Sequence, residues 1–142
     1  MTVQQVFDMA IHLMDEQSET NGGTITTDTQ EYKFRTLAIL NAIIPSLYPY
    51  SDTLDTSGAG RPMCPLMEIP TDHSKPDFTQ EIPLDNALTA GVLPYALAGH
   101  LIAGENQDLS VWFLNRYNQA FADLRSKIPG TFEPIATPYG LF

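Results

Sequence analysis

Three histidines are the side chains of this sequence best suited to chemistry, and one of them has carboxylates at a regular spacing. His12 stands four residues after Asp8 and four residues before Glu16, so a continuous helix would place all three on one face. Ligands at positions i and i+4 of a helix can hold a metal ion. A solvated polar face opposite an apolar stripe explains the same pattern. We favour the solvated face and predict no metal site.

The remaining reactive residues lack the partners that catalysis requires. The segment Asp72-His73-Ser74 contains triad residue types, but a triad is defined by geometry in space rather than by adjacency. His100 has no cysteine or second histidine near it in sequence, so we expect a packing role. Cys64 has only Arg61 nearby to lower its thiol pKa. We therefore predict no catalytic residues, no enzymatic activity and no cofactor.

Composition narrows the class of protein further. The chain has 142 residues with 17 Asp and Glu against 7 Lys and Arg, a formal charge of −10. This length favours one domain spanning 1–142, and 43% hydrophobic residues can form a core. The acidic balance argues against a nucleic-acid reader and against an anionic membrane surface.

Targeting and redox signals are weak. Cys64 is the chain's one cysteine, so no intrachain disulfide can form. The N-terminus lacks the basic region of a secretory signal. The longest apolar stretch, about 88–103, is interrupted by glycine, proline and histidine and is too short to span a bilayer. We expect a soluble intracellular protein.

Local signals predict the start of the chain as a helix over about residues 2–18. Thr2 and Gln5 have the spacing of a capping box, and apolar residues follow at helical intervals. The turn signal Asn21-Gly22-Gly23 comes soon after.

A second helix is predicted over about residues 28–48. Asp28 and Glu31 repeat the capping-box spacing, and Pro45 should kink or stop the helix. Its apolar stripe is unusually broad, which implies burial on more than one side. The stripe consists of Phe34, Leu37, Leu40, Ile44 and Leu47, widened by Ile39 and Ile43.

A third helix, rich in small residues, is predicted over about residues 85–103. Asp85 is the expected N-cap, and Gly104 the expected left-handed residue after its end. Pro94 lies inside it and should bend it.

The fourth helix, over about residues 106–128, has the clearest amphipathic pattern of the chain. Its apolar stripe consists of Phe113, Tyr117, Ala120, Phe121, Leu124 and Ile128. Trp112 and Arg116 share the opposite face. Local packing explains that pair, and so does an interface anchor, because Trp and Arg are enriched at binding hot spots.

Two segments lie outside this predicted all-α bundle of about four helices. Residues 49–84 hold six of the chain's 11 prolines and show no helical period, which predicts a long loop whose apolar residues pack on the domain or on a partner. Residues 129–142 predict an extended apolar arm suited to binding a groove on a neighbour. Its candidate interface residues are Phe132, Ile135, Tyr139, Leu141 and Phe142.

Charge is distributed unevenly along the chain. Residues 1–31 have six acidic side chains and no basic ones. Residues 51–108 have nine acidic and two basic side chains, and residues 109–142 have two acidic and three basic side chains. Opposed acidic and basic regions suit head-to-tail packing, which forms a ring when the rotation closes. An acidic protein with solvated charges has the same composition.

The segment from Glu81 to Leu124 resembles the C-terminal half of small head–tail connector proteins of tailed phages and prophages. The resemblance rests on Leu93-Pro94-Tyr95-Ala96-Leu97-Ala98, on Gly104-Glu105-Asn106, and on an aromatic helix containing Phe113 and Arg116-Tyr117. The first two helices are similar as well, whereas the proline-rich stretch from Tyr50 to Pro76 matches nothing in that family.

The resemblance implies a structural protein, a subunit of a homo-oligomeric ring of about a dozen copies between the portal protein and a tail-completion protein. It implies assembly in the bacterial cytoplasm and a final place at the virion head–tail junction. DNA would pass through the ring as cargo rather than bind as a specific ligand. The charge of −10 suggests that Asp8, Asp15 and Glu16 face that channel and repel the DNA.

Two other classes of function stay open at this stage. A small helical regulatory module could capture a protein partner with the 49–84 loop. A hydrolase or metal enzyme would need two of His12, His73 and His100 to converge with carboxylates in one pocket.

Overall fold

The computed structural model describes residues 1–16, 18–51, 65–72 and 74–127, and it confirms the all-α class. Five α-helices and a 3-10 turn (Tyr48–Tyr50, directly after the second helix) form the bundle. The helices are α1 (Val3–Leu13), α2 (Gln30–Leu47), α3 (Asn86–Gly91), α4 (Leu93–Ile102) and α5 (Gln107–Lys127). Within these ranges the β-type pairing is a single antiparallel bridge between Thr2 and Glu81.

The N-terminus of α1 has the predicted capping box. The Thr2 hydroxyl accepts the Gln5 N–H at 3.3 Å, and the Gln5 side-chain oxygen accepts the Thr2 N–H at 2.9 Å. Each residue thus satisfies a backbone donor that the first turn of a helix leaves free.

The C-terminus of α1 comes five residues earlier than predicted. Asp15 has φ +58°, a left-handed conformation that a right-handed helix cannot continue through. The Glu16 N–H donates to the Ile11 carbonyl and the Asp15 N–H to the His12 carbonyl, both at 3.1 Å. These two bonds form a Schellman motif, with aspartate where glycine is usual. The prediction that Glu16 shares a helix face with His12 is therefore wrong.

The N-terminus of α2 lacks the predicted capping box, because Thr29 at the cap position makes no side-chain hydrogen bond to the first turn. The cap residue is Thr29 rather than Asp28, and the helix begins at Gln30. The buried Thr29 hydroxyl donates to the Thr24 carbonyl at 2.7 Å and accepts the Thr26 N–H at 2.8 Å. This threonine closes the preceding turn, which places Asp28 outside the helix.

Two prolines affect their helices in different ways. Pro45 lies in the last turn of α2, and the helix continues past it to Leu47, so of the predicted kink or stop at Pro45 the stop does not occur. Pro94 is the second residue of α4, where a missing N–H costs nothing. Its ring would clash with the Ala90 carbonyl if α3 continued. The predicted third helix is therefore divided at Val92 into α3 and α4.

The centre of the bundle is α4, which packs against α5, α1, α2 and α3. Its buried residues cover all sides of the helix: Leu93, Pro94, Ala96, Leu97, Ala98, Gly99, Leu101 and Ile102. Around it lie the buried side chains of α1 and α2, among them Phe7, Ile11, Leu40 and Ile44.

Two side-chain amides fix the described part of the long loop, one by binding it to α2 and the other by joining two stretches of the loop itself. Asn41 on α2 pairs with the backbone of Met67, donating at 2.9 Å and accepting at 2.7 Å. Gln80 pairs with the backbone of Glu68 in the same way, at 2.8 and 2.7 Å. Loop residues enter the core as a result: Met67, Phe78, Ile82 and Leu84 are each at most 6% exposed. These four apolar residues of the described part of the loop thus pack on their own domain, whereas Leu66 and Ile69 are 56% and 43% exposed.

Candidate functional site

The outer face of α5 presents a large aromatic and a cation to solvent. Trp112 is 56% exposed and touches Phe113 edge-to-face, with ring centroids 5.1 Å apart. The Arg116 guanidinium lies 5.7 Å from the centre of the Tyr95 ring on α4 and donates to the Gln119 side-chain oxygen at 3.2 Å. Arg116 thus has local packing partners, while most of Trp112 has none within the described chain. We call Val111, Trp112 and Arg116 the α5 outer face.

The inner stripe of α5 is buried only near its start. Phe113 is 1% exposed, whereas Tyr117, Ala120, Phe121 and Leu124 are half-buried. Two buried contacts lock that first part to α4. The Ser110 hydroxyl donates to the Gly99 carbonyl at 2.8 Å, and a Cβ on Gly99 would come within 2.9 Å of the Leu114 side chain.

Aromatic rings contact one another along the second half of α5. Tyr50 meets Phe121 edge-to-face at 5.1 Å, and Tyr117 stacks on Phe121 at 6.2 Å. The Arg125 guanidinium lies over Phe121 at 4.8 Å and over Tyr50 at 5.9 Å. Such cation–π contacts contribute about 0.5–1 kcal/mol each at exposed sites, so they fix the end of the helix without burying it.

An apolar groove of about 330 Å³ lies between α1, α3 and α4. Its lining residues are Met9, His12, Leu13, Ala90, Pro94 and Tyr95. Leu13 is 40% exposed here, although helical periodicity predicts it in the core, and Ile11 is buried instead. None of the lining residues is acidic, and the one titratable side chain besides Tyr95 is His12. We call this feature the α1/α4 groove.

Acidic side chains converge at the end of the bundle where α1 stops. Burial raises the pKa of Glu16, and the neighbouring carboxylates Glu105, Asp28 and Asp15 raise it further. These residues come from three separate parts of the chain, since Glu105 lies in the loop between α4 and α5. The region is thus a concentrated negative patch, which we call the acidic end.

Tyr32 and Arg35 on α2 border the acidic end. The Tyr32 hydroxyl donates to a Glu105 carboxylate oxygen at 2.5 Å, and burial together with this bond raises the Tyr32 pKa. Arg35 donates to the Leu101 carbonyl at 3.0 Å and lies 3.8 Å from Glu31. Its buried Nε has no hydrogen-bond partner in the described chain. Arg35 is thus turned toward the C-terminus of α4, where the helix dipole favours a cation.

Asp8, the third predicted channel-facing carboxylate, has partners of its own. The Thr24 hydroxyl donates to it at 2.5 Å and the Gln4 side-chain amide at 2.6 Å. The side chain is half-buried, in contrast to exposed Asp15. The structure therefore separates Asp8 from the acidic end, and the channel orientation of Asp8, Asp15 and Glu16 stays a prediction.

The histidines do not converge in the part of the chain that is described. His12 lines the groove on α1, and His100 is exposed near the end of α4. The described residues contain no group of three His, Cys, Asp or Glu side chains that could hold a metal ion.

Several predicted residues fall outside the described ranges. These are Cys64, His73 and the arm residues Phe132, Ile135, Tyr139, Leu141 and Phe142.

None of the described helices combines the length and apolarity needed to cross a bilayer. Comparison of the sequence and the structure with protein-family models, with curated proteins and with solved structures finds no match.

Sequence reasoning missed the α1/α4 groove and the acidic end as surfaces. Both combine residues far apart in the chain, and only the packing of α1 against α4 brings them together. The one local signal available was the charge of residues 1–31.

Proposed function

We propose that this chain is a structural protein, a subunit of a homo-oligomeric ring that bridges the portal and the tail of a tailed phage or prophage. The proposal starts from the sequence resemblance between Glu81 and Leu124. The single structural observation that supports it best is the half-solvated state of α5. A 21-residue helix of about 31 Å is locked to the bundle near its start, and its outer face presents Val111, Trp112 and Arg116 to solvent there.

The composition of the core leaves α5 available for a partner. The buried residues of α1, α2 and α4 form one continuous cluster to which α5 contributes Phe113 as its one buried apolar residue. The rest of its apolar stripe, including Tyr117 and Phe121, packs half-buried against this cluster, so the side of α5 that faces away from the cluster is free to pack against a neighbouring subunit. Exposed Trp112 beside Arg116 has the composition of an interface anchor, because burial of such residues dominates binding energies.

The charges of the bundle suit a head-to-tail arrangement. Arg116 and Arg125 lie on α5, whereas the acidic end combines carboxylates from α1, from the turn before α2 and from the α4–α5 loop. In a ring, an acidic surface that is not covered by the neighbour would repel passing DNA. The same surface would draw a basic partner by long-range attraction.

The alternative, a regulatory module that captures a partner with the 49–84 loop, requires a loop free to bind. Residues 65–84 already pack on the core through Met67, Phe78, Ile82 and Leu84. Leu66 and Ile69 are 56% and 43% exposed, so capture by this loop would rest on these two residues and on residues 52–64, which lie outside the described ranges.

The experiment that tests the proposal measures the mass of the full chain by light scattering over a concentration series, alone and with isolated portal rings. We expect a monomer that converts to a ring as concentration rises, or upon addition of the portal. Trp112→Ala should weaken this association by about 2 kcal/mol, roughly thirtyfold. Deleting residues 130–142 should also impair assembly, because the arm is predicted to engage a neighbour.

The matched control is Phe34→Ala, which truncates another exposed aromatic, 44% exposed on α2. It should leave assembly unchanged. A chain that stays monomeric at all concentrations and ignores the portal would contradict the proposal. So would equal effects of the two alanine variants.

A further inference from the structure

The α1/α4 groove is an apolar surface that the described chain leaves open. Leu13 is 40% exposed at one wall, and Ala90, Pro94 and Tyr95 form the other. Its volume, about 330 Å³, is at the lower end of the range that small ligand sites have. Its lining offers few polar groups with which to orient a small molecule, so an apolar peptide side chain suits it better.

The chain itself contains a segment with the matching composition. Residues 130–142 include five large apolar side chains and a single charged one, Glu133. The three prolines nearby, Pro129, Pro134 and Pro138, disfavour helix and favour an extended backbone. An extended segment presents alternate side chains to a groove and leaves its backbone solvated. The cation at the edge of the groove, Arg116 stacked on Tyr95, suits the one acidic side chain of the segment.

The segment also begins close enough to the α1/α4 groove, and is long enough, to reach it. Tyr95 lies beside Arg116, which is 11 residues before the end of α5 at Lys127, or about 17 Å along the helix. Five or six extended residues span that distance, at about 3.3 Å each. The dipeptide Pro129-Gly130 directly follows and favours a reversal of the chain. Residues from about Ile135 onward can therefore reach the groove of their own subunit.

We infer that residues 130–142 of the chain turn back along α5 and seat their apolar side chains in the α1/α4 groove of the same subunit. A tether this short produces an effective concentration of about 1 mM, so even an intrinsically weak contact is populated within one chain. The inference does not rest on ring formation.

The test uses the full chain with a spin label at position 137, introduced as Thr137→Cys together with Cys64→Ser. The label broadens the NMR signals of nearby methyl groups. We expect strong broadening of the Met9, Leu13 and Ala90 methyls and little at Ala42, which is exposed on α2. A second sample mixes spin-labelled chain with isotope-labelled chain that has no spin label. It should show no broadening in the groove, because the contact lies within one subunit.

Two groove variants and one matched control complete the design. Ala90→Glu places a carboxylate against apolar surface and should lower the occupied fraction of the groove about tenfold. Leu13→Gln, at a side chain already 40% exposed, tests the other wall with little risk to folding. Ala87→Glu makes the first substitution at an exposed position of the same short helix and should change nothing.

Three results would overturn the inference. The first is equal broadening at Ala90 and Ala42. The second is broadening that survives in both groove variants. The third is broadening of equal strength in the mixed sample, which would assign the groove to a neighbour's arm. Light scattering of the same samples is independent of these readings, so failure of ring formation and failure of this contact remain distinguishable.

Discussion

The helices α4 and α5 are joined by a short loop but have opposite relations to solvent. Eight of the ten residues of α4 are buried, including three small residues that let other helices approach. In α5 the buried residues are Ser110 and Phe113 among positions 107–126. The two helices contact each other more than any other pair. The difference lies in the sides that face away from this contact: those of α4 pack on α1, α2 and α3, whereas the outer side of α5 faces solvent.

This contrast separates the fold from the surface that a partner can use. The bundle closes around α4 without needing the second half of α5, so substitutions there should leave the monomer intact. The contacts of Phe121 with Tyr50 and Arg125 fasten the second half of α5 to the domain while that half stays partly accessible. Stability and assembly can thus be changed independently, and the following predictions test that separation.

The largest effect is expected from creating a cavity in the centre of the bundle. Leu97 is fully buried on α4, so Leu97→Ala should lower the free energy of unfolding by about 2–5 kcal/mol. The same substitution at half-buried Leu124 of α5 should cost about 1 kcal/mol, near the centre of the distribution for point mutations in general. Urea unfolding followed by circular dichroism measures both. Similar losses would show that α5 belongs to the core.

A smaller effect should come from widening the contact between the two helices. Gly99→Ala would place a Cβ 2.9 Å from Leu114, too close without movement of α5, and should cost about 1–3 kcal/mol. Gly91 at the end of α3 provides the matched control, because a Cβ added there would have nothing within 4 Å. Gly91→Ala should stabilise by about 0.4–1 kcal/mol by reducing the freedom of the unfolded chain. A loss at both positions would contradict the close approach as the cause.

The end of α1 should respond in the opposite direction. Asp15 occupies a left-handed position that glycine adopts without steric cost, so Asp15→Gly should raise the free energy of unfolding by about 0.5–1 kcal/mol. Asp15→Asn removes the charge and keeps a side chain that tolerates this conformation. The difference between the two variants therefore isolates the backbone term. Destabilisation by glycine would show that contacts of the Asp15 side chain matter more than its conformation.

The smallest effect concerns the charge at the acidic end. The pKa of Glu16 is raised above its ordinary value of 4.5 in the folded state, so the folded chain holds this proton more tightly than the unfolded chain does. The corresponding stabilisation is present below about pH 4.5 and is lost as pH rises through the folded pKa.

Glu16→Gln should consequently flatten the fall in stability above pH 4.5 and add about 0.5 kcal/mol at pH 7, the scale of a partly exposed charge interaction. Glu19→Gln, at an exposed position three residues along, is the matched control. Thermal unfolding across a pH series measures both variants. Identical curves for the two would exclude a special environment at Glu16.

Local sequence signals predicted the start of a helix well where only one residue was available to cap it. The capping box of Thr2 and Gln5 is confirmed, and so is the start at Asn106, whose side chain accepts the Leu109 N–H at 3.1 Å. At α2 the helix begins after Thr29 rather than at Asp28, because the Thr29 hydroxyl bonds back into the turn formed by residues 24–29. Sequence spacing alone does not encode that choice.

Helix ends and faces were harder to predict because tertiary contacts decide them. Gly104 was the expected left-handed residue, but among the described residues positive φ occurs at Gly22 and Asp15. Phe34 belonged to the predicted stripe and is 44% exposed, because α2 packs through the adjacent face containing Leu37, Leu40 and Ile44. The pairing of Arg116 with Tyr95 joins two helices, so no periodicity within one helix could indicate it.

The segment that returns from the long loop completes the beginning of α1. The backbone N–H groups of Val3 and Gln4 donate to the carbonyls of Gln80 and Phe78, each at 3.0 Å, and Ile82 donates to the Met1 carbonyl. During synthesis α1 therefore lacks these hydrogen-bond partners until residue 82 is available, and its packing partner until α4 is made. At about 5–20 residues per second, translation imposes a wait of roughly 5–20 s. During that time Phe7 and Ile11 have no complete core to enter, so the apolar side chains of α1 stay exposed on the nascent chain.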